Sequence, residues 1–150
     1  MITDTFNINR FVEVQEDVYP IALKELQKGR KRSHWMWYVF PQLKGLGHSY
    51  HAKYYGISGI EETMAYLEHP ELGQRIREVS EAILKLPGND AKAVFGGIDA
   101  MKLRSSMTLF DIVSPQDVFA RVLDKYFGGQ RDSKSIKLIE ETNEIIRKII

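Results

Sequence analysis

The segment at residues 30–42 reads RKRSHWMWYVFPQ and contains both tryptophans of the chain. Three consecutive cations at residues 30–32 are followed by His34 and by six apolar residues at 35–40. Six apolar residues in a row fit a buried strand and a buried helix equally well, so the pattern alone leaves both open. In either case it predicts a charged turn that is joined directly to buried aromatic side chains.

Helical periodicity dominates the rest of the chain. From about Glu71 to Lys85, apolar residues recur at steps of three and four, which is typical of one buried helix face. Pro70 precedes this helix, where its missing N–H costs nothing, and Pro87 ends it. The apolar face consists of Leu72, Ile76, Val79, Ile83 and Leu86.

A second clear helix is predicted after residue 113. Ser114 is expected to cap it, with Pro115 at its first position and Asp117 in its first turn. The residues of its buried stripe are Val118, Phe119, Val122, Leu123 and Tyr126. Gly128 and the glycine after it stop the helix.

Further helices are predicted at both ends of the chain and before residue 68. Asn9 is expected to cap an N-terminal helix that Pro20 interrupts, so that Asp17 caps a second one. Ser58 is expected to cap a short helix whose inward residues are Ile60, Met64 and Leu67.

The last predicted helix runs from about Ser133 to Arg147 and carries a wide apolar arc. The arc consists of Ile136, Leu138, Ile139, Ile145, Ile146 and Ile149. Residues 44–57, rich in glycine and tyrosine, are expected to be irregular. Together the patterns predict a single, predominantly helical domain with an irregular loop around residues 44–57, and they leave residues 35–40 open between strand and helix.

Composition narrows the class of protein. A chain of 150 residues is expected to form one domain. Its 21 cations and 20 anions leave a formal charge of +1, so no global field attracts nucleic acid or an anionic membrane. The absence of cysteine excludes disulfides and thiolate chemistry and is typical of a reducing compartment. No apolar run approaches the roughly 18 residues of a membrane span, so we expect a cytoplasmic protein.

Several stretches of the chain resemble one known family. They are Arg10-Phe11 with Gln15, the run 29–37, Phe40-Pro41-Gln42, His69-Pro70 with Leu72-Gly73, and the run KLRSSMTLF at 102–110. They resemble the domain-of-unknown-function family 1810 over about residues 10–135. The resemblance implies a mainly α-helical single domain, and with it a helix for residues 35–40. With the helical patterns it predicts an all-α, compact single-domain fold of about six to eight helices, with an irregular loop around residues 44–57. It implies no reaction, cofactor or partner.

The run at residues 30–37 is the first candidate for a binding site. A helix that starts after Ser33 would offer free N–H groups and a positive dipole to a phosphate or carboxylate. His34 can donate to such an anion or exchange a proton near neutral pH, and Trp37 can offer a ring face. The alternative is structural, with both tryptophans in the core, His34 hydrogen-bonded and the cations solvated.

The run at residues 102–110 is the second candidate. Leu103, Met107 and Phe110 follow the spacing i, i+4, i+7, which predicts one helix with an apolar face. Two serines and a threonine inside a helix lower its intrinsic propensity, and such a loss often accompanies a functional site. The alternative is that small residues allow neighbouring helices to approach closely.

We expect the two runs to face each other across one pocket that binds an anionic, nucleotide-like small molecule, with Lys31 as a mobile outer cation. The predicted ligand-binding residues are Lys31, His34, Trp37, Gln42, Lys102, Ser105, Ser106 and Thr108. The sequence assigns no catalytic residue and no cofactor. It predicts no metal site, because the three-residue spacing of His48 and His51 lacks carboxylates at fixed offsets.

Other functions stay open. A non-catalytic protein-interaction module would use the C-terminal apolar arc, which also predicts a homodimer through the last helix. An RNA-binding accessory protein would use residues 30–32, although the balanced total charge argues against nucleic acid as a partner. A hydrolytic triad can be drawn from His34, Asp99 and either serine of the second run, but any chain of this length supplies such a trio.

Overall fold

Nine helices make up the part of the chain that the computed structural model describes, which is residues 4–149, with side chains as far as residue 142. In chain order they are α1 (Asn9–Gln27), α2 (Met36–Val39), α3 (Tyr50–Tyr54), α4 (Ile60–Glu68), α5 (Leu72–Leu84), α6 (Ala91–Phe95), α7 (Gly97–Val113), α8 (Val118–Phe127) and α9 (Ser133–Ile149). Within this range the β-type pairing is one isolated parallel bridge between Leu43 and Ile57. The fold is all-α, as predicted, with one helix more than the expected range.

The central helix of the fold is α7. It packs against α4, α6, α8 and α9, while α5 packs against α1, α4 and α8. Residues 105–110 of α7 are all buried, and so is the predicted apolar face formed by Leu103, Met107 and Phe110. By contrast, Ile98 and Met101 near its N-terminal end are exposed. The helix therefore anchors the core with its C-terminal half and reaches the surface with its first turns.

The α5 helix matches its prediction closely. Its buried residues include Leu72, Ile76, Val79 and Ile83, and it ends at Leu84, before Pro87. His69 satisfies two backbone donors at its start, because His69 Nδ1 accepts from the N–H groups of Glu71 and Leu72 at 3.1 and 3.3 Å. His69 is therefore a structural histidine at a helix start.

The α1 helix continues through Pro20, so the predicted interruption is wrong. Its buried residues repeat at three- and four-residue steps on both sides of the proline: Phe11, Gln15, Tyr19, Ala22 and Leu26. Tertiary burial of this face outweighs the one intrahelical hydrogen bond that Pro20 cannot donate. Asn9 does not cap the helix; the Asp4 carboxylate accepts from the N–H groups of Ile8 and Asn9 instead.

The α4 helix matches its predicted inner face only in part, because Ile60 and Leu67 are partly buried against the core but Met64 is not. Met64 is 47% exposed, whereas Glu62, Thr63 and Tyr66 are buried. Glu62 pairs with Arg10 at 2.7 Å, and a sequence pattern based on apolar residues cannot anticipate a buried carboxylate. Ser58 contributes its backbone N–H to Glu62 and does not act as the side-chain cap.

The α8 helix begins three residues later than predicted. Asp117 is its cap, accepting from the N–H of Val118 at 2.6 Å, and the Ser114 hydroxyl donates to Asp117 at 2.7 Å. Gln116 has a φ of 60°, so the helix cannot extend further back. The predicted apolar stripe is buried, and Gly128 ends the helix in the left-handed conformation.

The segment between α1 and α4 is more ordered than predicted. Residues 36–39 form a single helical turn, which confirms the helix that the family resemblance implies for this run. Residues 44–57 contain α3, capped by Ser49, whose side chain accepts from the N–H of Ala52. The bridge between Leu43 and Ile57 closes this segment on itself.

The predicted apolar arc of α9 lies only partly in the described range. Ile139 is buried, and Ile136 and Leu138 are half-buried. The side chains of Ile145, Ile146 and Ile149 lie outside the described residues. A homodimer through this helix therefore stays a prediction. Among the helices described, none has both the length and the hydropathy needed to cross a membrane.

Candidate functional site

One cavity brings parts of the two predicted runs together. It lies between the turn at residues 31–37 and the N-terminal end of α7, with a volume of about 400 Å³. Four of the predicted site residues line it, namely Lys31, His34, Trp37 and Lys102. The other lining residues are Met36, Phe95, Gly96, Gly97, Ile98 and Asp99. We call this site the lysine cavity.

A carboxylate bridges the two lysines of the lysine cavity. Asp99 Oδ2 lies 2.8 Å from Lys31 Nζ, and Asp99 Oδ1 lies 3.4 Å from Lys102 Nζ. Two ammonium groups against one carboxylate leave a local surplus of one positive charge, and the N-terminal end of α7 adds positive potential. In a chain whose total charge is close to zero, this cavity therefore favours an anion.

Lys31 is held in place, which corrects its predicted role as a mobile outer cation. Its side chain is only 7% exposed, and Nζ donates to the carbonyl of Ser33 at 2.5 Å. The ammonium also lies 5.0 Å from the ring centroid of Trp35, and the backbone N–H of Lys31 donates to Val94. The more accessible cation is Lys102, whose side chain is 21% exposed.

Glu25 of α1 holds the turn that carries His34. Its carboxylate accepts hydrogen bonds from the N–H groups of Arg32 and Ser33, the Ser33 hydroxyl and the Trp35 indole N–H, at 2.5–3.0 Å. Desolvation alone would raise the pKa of Glu25, but these four donors outweigh it and lower the pKa to about 2. This carboxylate thus positions the turn that forms one wall of the lysine cavity.

The two tryptophans have different roles. Trp35 is 1% exposed and belongs to the core, as the structural alternative predicts. Trp37 is half-buried at the lysine cavity, with Lys102 Nζ 4.1 Å from its ring centroid. His51 stacks on Trp37 with a centroid distance of 5.3 Å. His34 is exposed at the rim of the cavity.

The predicted hydroxyl groups of α7 do not line the lysine cavity, which corrects the predicted arrangement. Ser105 Oγ donates to the carbonyl of Met101 at 3.2 Å. Thr108 Oγ1 donates to the carbonyl of Arg104 at 2.7 Å and accepts from the N–H of Asp132 at 2.9 Å. These hydroxyls are already bonded to main-chain groups, so they are not directed at a ligand in the cavity.

Ser106 and Gln42 also lie away from the lysine cavity. Ser106 is fully buried, and its hydroxyl has no hydrogen-bond partner among the described residues. The side-chain amide of Gln42 lies beside Gly47. No serine of α7 faces His34 and Asp99 within the described range, so the hydrolytic triad drawn from the sequence is not assembled.

Two roles in this site were absent from the sequence prediction. Glu25 lies in α1, shortly before the first run, and no local pattern marks it. Asp99 appears in the sequence analysis only as a triad member, whereas its role here is to pair the lysines. The Gly96-Gly97 pair was the available signal, because adjacent glycines often mark a break between helices.

Metal-binding groups are sparse in the described part of the chain. No three histidine, aspartate or glutamate side chains come together there in a way that could hold a metal ion. His51 is engaged with Trp37, and His69 accepts backbone hydrogen bonds.

The fold and the cavity define an all-α domain with a small cationic site between two sequence motifs. The chain belongs to the DUF1810 family, described as a protein of unknown function, and the match to this family covers residues 5–139. The chain is also similar to the crystal structure of a conserved hypothetical protein from Mycobacterium tuberculosis, with 45% sequence identity and a TM-score of 0.86. That match covers 91% of this chain and 99% of the other. Nothing among the curated proteins matches the chain.

Proposed function

We propose that this protein binds an anionic small molecule in the lysine cavity. The observation that carries the proposal is the convergence of Lys31 and Lys102 on one carboxylate, Asp99, inside a concave site. A phosphate or carboxylate that enters the cavity gains charge-assisted hydrogen bonds from the same ammonium groups. The backbone at the N-terminal end of α7 offers further donors.

A nucleotide-like ligand suits this lining better than an inorganic anion alone. The volume of about 400 Å³ lies within the range of small-molecule sites. Trp37 and Met36 supply an aromatic and an aliphatic surface beside the charged groups, which suits a ring attached to a phosphate. His34 at the rim can donate to the same phosphate.

Thermal unfolding with nucleoside monophosphates, sugar phosphates and dicarboxylates, one at a time, tests the proposal. A ligand at 100 times its Kd adds about 2.7 kcal/mol to the free energy of unfolding. We expect a nucleoside monophosphate to give such a shift. We expect Lys102→Met to weaken the binding at least about tenfold, or about 1.4 kcal/mol, because the more accessible of the two ammonium groups is removed while the aliphatic stem is kept.

Two control variants distinguish binding from general effects. Lys24→Met removes an exposed ammonium of α1 that does not line the cavity, and Ser105→Ala removes a hydroxyl that donates to Met101. Both variants should keep the wild-type ligand shift. The proposal fails if none of the anions stabilises the wild type, or if Lys102→Met and Lys24→Met respond equally.

The other functional predictions are unchanged. Protein interaction through the C-terminal arc, RNA binding through residues 30–32 and a cytoplasmic location each stay a prediction. An RNA affinity that does not fall as salt rises from low to high concentration would count against the RNA-binding alternative.

A further inference from the structure

A second cavity flanks the N-terminal end of α7. Its volume is about 470 Å³, and it lies between α7, the C-terminal end of α8 and the residues at the start of α6. The lining residues that matter here are Gly97, Met101, Arg104, Tyr126 and Phe127. We call this site the arginine cavity.

The guanidinium of Arg104 is incompletely paired. Its Nε is buried and has no hydrogen-bond partner among the described residues. Asp132 Oδ1 lies 4.0 Å from Arg104 Nη2, beyond hydrogen-bond distance, and Ser135 donates to the other carboxylate oxygen, Oδ2. The buried Nε is out of reach of a ligand, but the Arg104 side chain is 28% exposed, so its terminal nitrogens can donate to a ligand oxygen in the cavity.

The arginine cavity also has aromatic walls. The Tyr126 hydroxyl donates to the carbonyl of Ile83 at 2.6 Å, so this side chain presents its ring to the cavity. The ring centroid of Phe127 lies 6.0 Å from the guanidinium carbon of Arg104. The arginine cavity therefore combines a cation with aromatic rings, as the lysine cavity does with Lys102 and Trp37.

The backbone between the two cavities is open. Gly97 lines both of them, and nothing lies within 4 Å of the position that a Cβ would occupy on Gly96 or Gly97. Ile98 and Met101 are 75% and 64% exposed, which provides an apolar rim along the same turn. A ligand can therefore cross from one cavity to the other over glycine backbone.

We propose that the two cavities form one groove for a dinucleotide-like ligand, with two ring-bearing ends joined by a diphosphate. This inference rests on the proposed function and names the class of its ligand. The diphosphate would cross at Gly96-Gly97, one ring would lie beside Trp37 and the other beside Phe127.

Helix geometry explains why a single nucleotide does not complete the groove. Lys102 and Arg104 are two residues apart, so they project from nearly opposite sides of α7. An α-helix with its side chains is about 10–12 Å across. A mononucleotide therefore occupies one cavity, whereas a diphosphate-linked pair of rings can occupy both.

Isothermal titration calorimetry with adenosine monophosphate, diadenosine diphosphate and pyrophosphate tests the inference. We expect diadenosine diphosphate to bind at least about tenfold more tightly than adenosine monophosphate, because the second ring and Arg104 add contacts. Arg104→Met should remove that advantage and leave the affinity for adenosine monophosphate unchanged. Arg121 lies on α8 and forms an exposed ion pair with Glu81 of α5. Arg121→Met is the matched control and should keep the tighter binding of diadenosine diphosphate.

A second variant tests the passage itself. Gly97→Leu places a side chain where the two cavities meet, and the open space there should allow the variant to fold. We expect it to reduce binding of diadenosine diphosphate more than binding of adenosine monophosphate. Gly59, before α4, is an equally open glycine, and Gly59→Leu should change the affinity for neither nucleotide.

The outcomes separate this inference from the proposed function. Equal affinities for the two nucleotides, with no effect of Arg104→Met, would overturn the inference and leave the lysine cavity as an anion site. Binding of pyrophosphate but of neither nucleotide would also overturn the inference and leave the lysine cavity as an anion site. Failure of all three probes, together with failure of the sugar phosphates and dicarboxylates, would overturn both.

Discussion

The single carboxylate of Glu25 accepts hydrogen bonds from four donors on three residues of one turn, Arg32, Ser33 and Trp35. This single side chain links α1 to the turn that presents His34 and Lys31. Arg30, Lys31 and Arg32, at the start of this turn, make it strongly cationic. At the scale of residues, the wall of the lysine cavity therefore depends on a group outside both sequence motifs.

Glu25→Gln should destabilise the protein by about 1–3 kcal/mol, because an amide cannot accept from all four donors. The pKa of Glu25 is about 2 in the folded protein, below its ordinary value of 4.5. Its stabilising contribution is therefore complete above about pH 4.5 and is lost as the pH falls toward 2. Urea unfolding between pH 2 and 7 should show a smaller loss of stability in acid for the variant than for the wild type.

Glu16→Gln is the control for that measurement, since Glu16 is exposed on the same helix. It should leave both the stability and its pH dependence nearly unchanged. Parallel pH profiles for Glu25→Gln and the wild type would contradict the role assigned to Glu25.

At the scale of elements, α1 shows how tertiary burial overrides local preference. Pro20 lies inside a helix of 19 residues whose buried residues continue on both sides. Local rules place a break here because proline lacks the N–H that the helix needs. Five buried side chains along one face hold the helix against α5 and α2, and their burial favours one continuous element.

Pro20→Ala should therefore stabilise the protein. Alanine restores a backbone donor and favours a helix interior by about 3 kcal/mol over proline. This difference already includes the greater conformational freedom of the unfolded alanine chain, so we expect a gain of up to about 3 kcal/mol in the free energy of unfolding. Pro87 lies in the turn after α5, where alanine would restore no helical hydrogen bond. Pro87→Ala should therefore be neutral or slightly destabilising. A loss of stability in Pro20→Ala would show that the packing of α1 requires the proline.

At the scale of the whole molecule, Arg10 connects segments that are distant in sequence. Arg10 and Glu62 are 7% and 3% exposed and lie 2.7 Å apart. The remaining hydrogen bonds of the guanidinium go to the backbone carbonyls of Phe6, Asn7, Tyr54 and Gly56. One side chain thus joins α1, the end of α3 and α4 around a buried charge.

Arg10→Met should cost about 3–5 kcal/mol of stability, because it leaves the Glu62 carboxylate buried without its cation. The double variant Arg10→Met, Glu62→Met removes both charges and should recover part of that loss. Recovery should be incomplete, since the four carbonyls still lose their donor. Urea unfolding of the two single variants and the double variant measures the coupling. Additive losses would contradict a direct interaction between the two charges.

Sequence patterns predicted correctly those helices that are determined by residues close together in the chain. The helix α5, the buried stripe of α8 and the apolar face of α7 follow apolar periodicity and helix-ending residues. Three features did not follow these patterns. A buried ion pair determines the inner face of α4, and a positive φ at Gln116 determines the start of α8. Tertiary burial determines the continuity of α1. For the candidate site, the two motifs indicated the right part of the molecule, but only half of the predicted side chains line the cavity.

The sequence by itself determined the all-α class, the main helices of the core and the family to which the chain belongs, because these depend on spacing and motif along one chain. The tertiary structure decided which polar groups are left to face solvent or a ligand. The hydroxyl of Thr108 and that of Ser105 are occupied by nearby main-chain groups, whereas Asp99 meets a lysine 68 positions earlier along the chain. Whether a polar side chain is already satisfied depends on its neighbours in space, and no pattern along the chain contains that information.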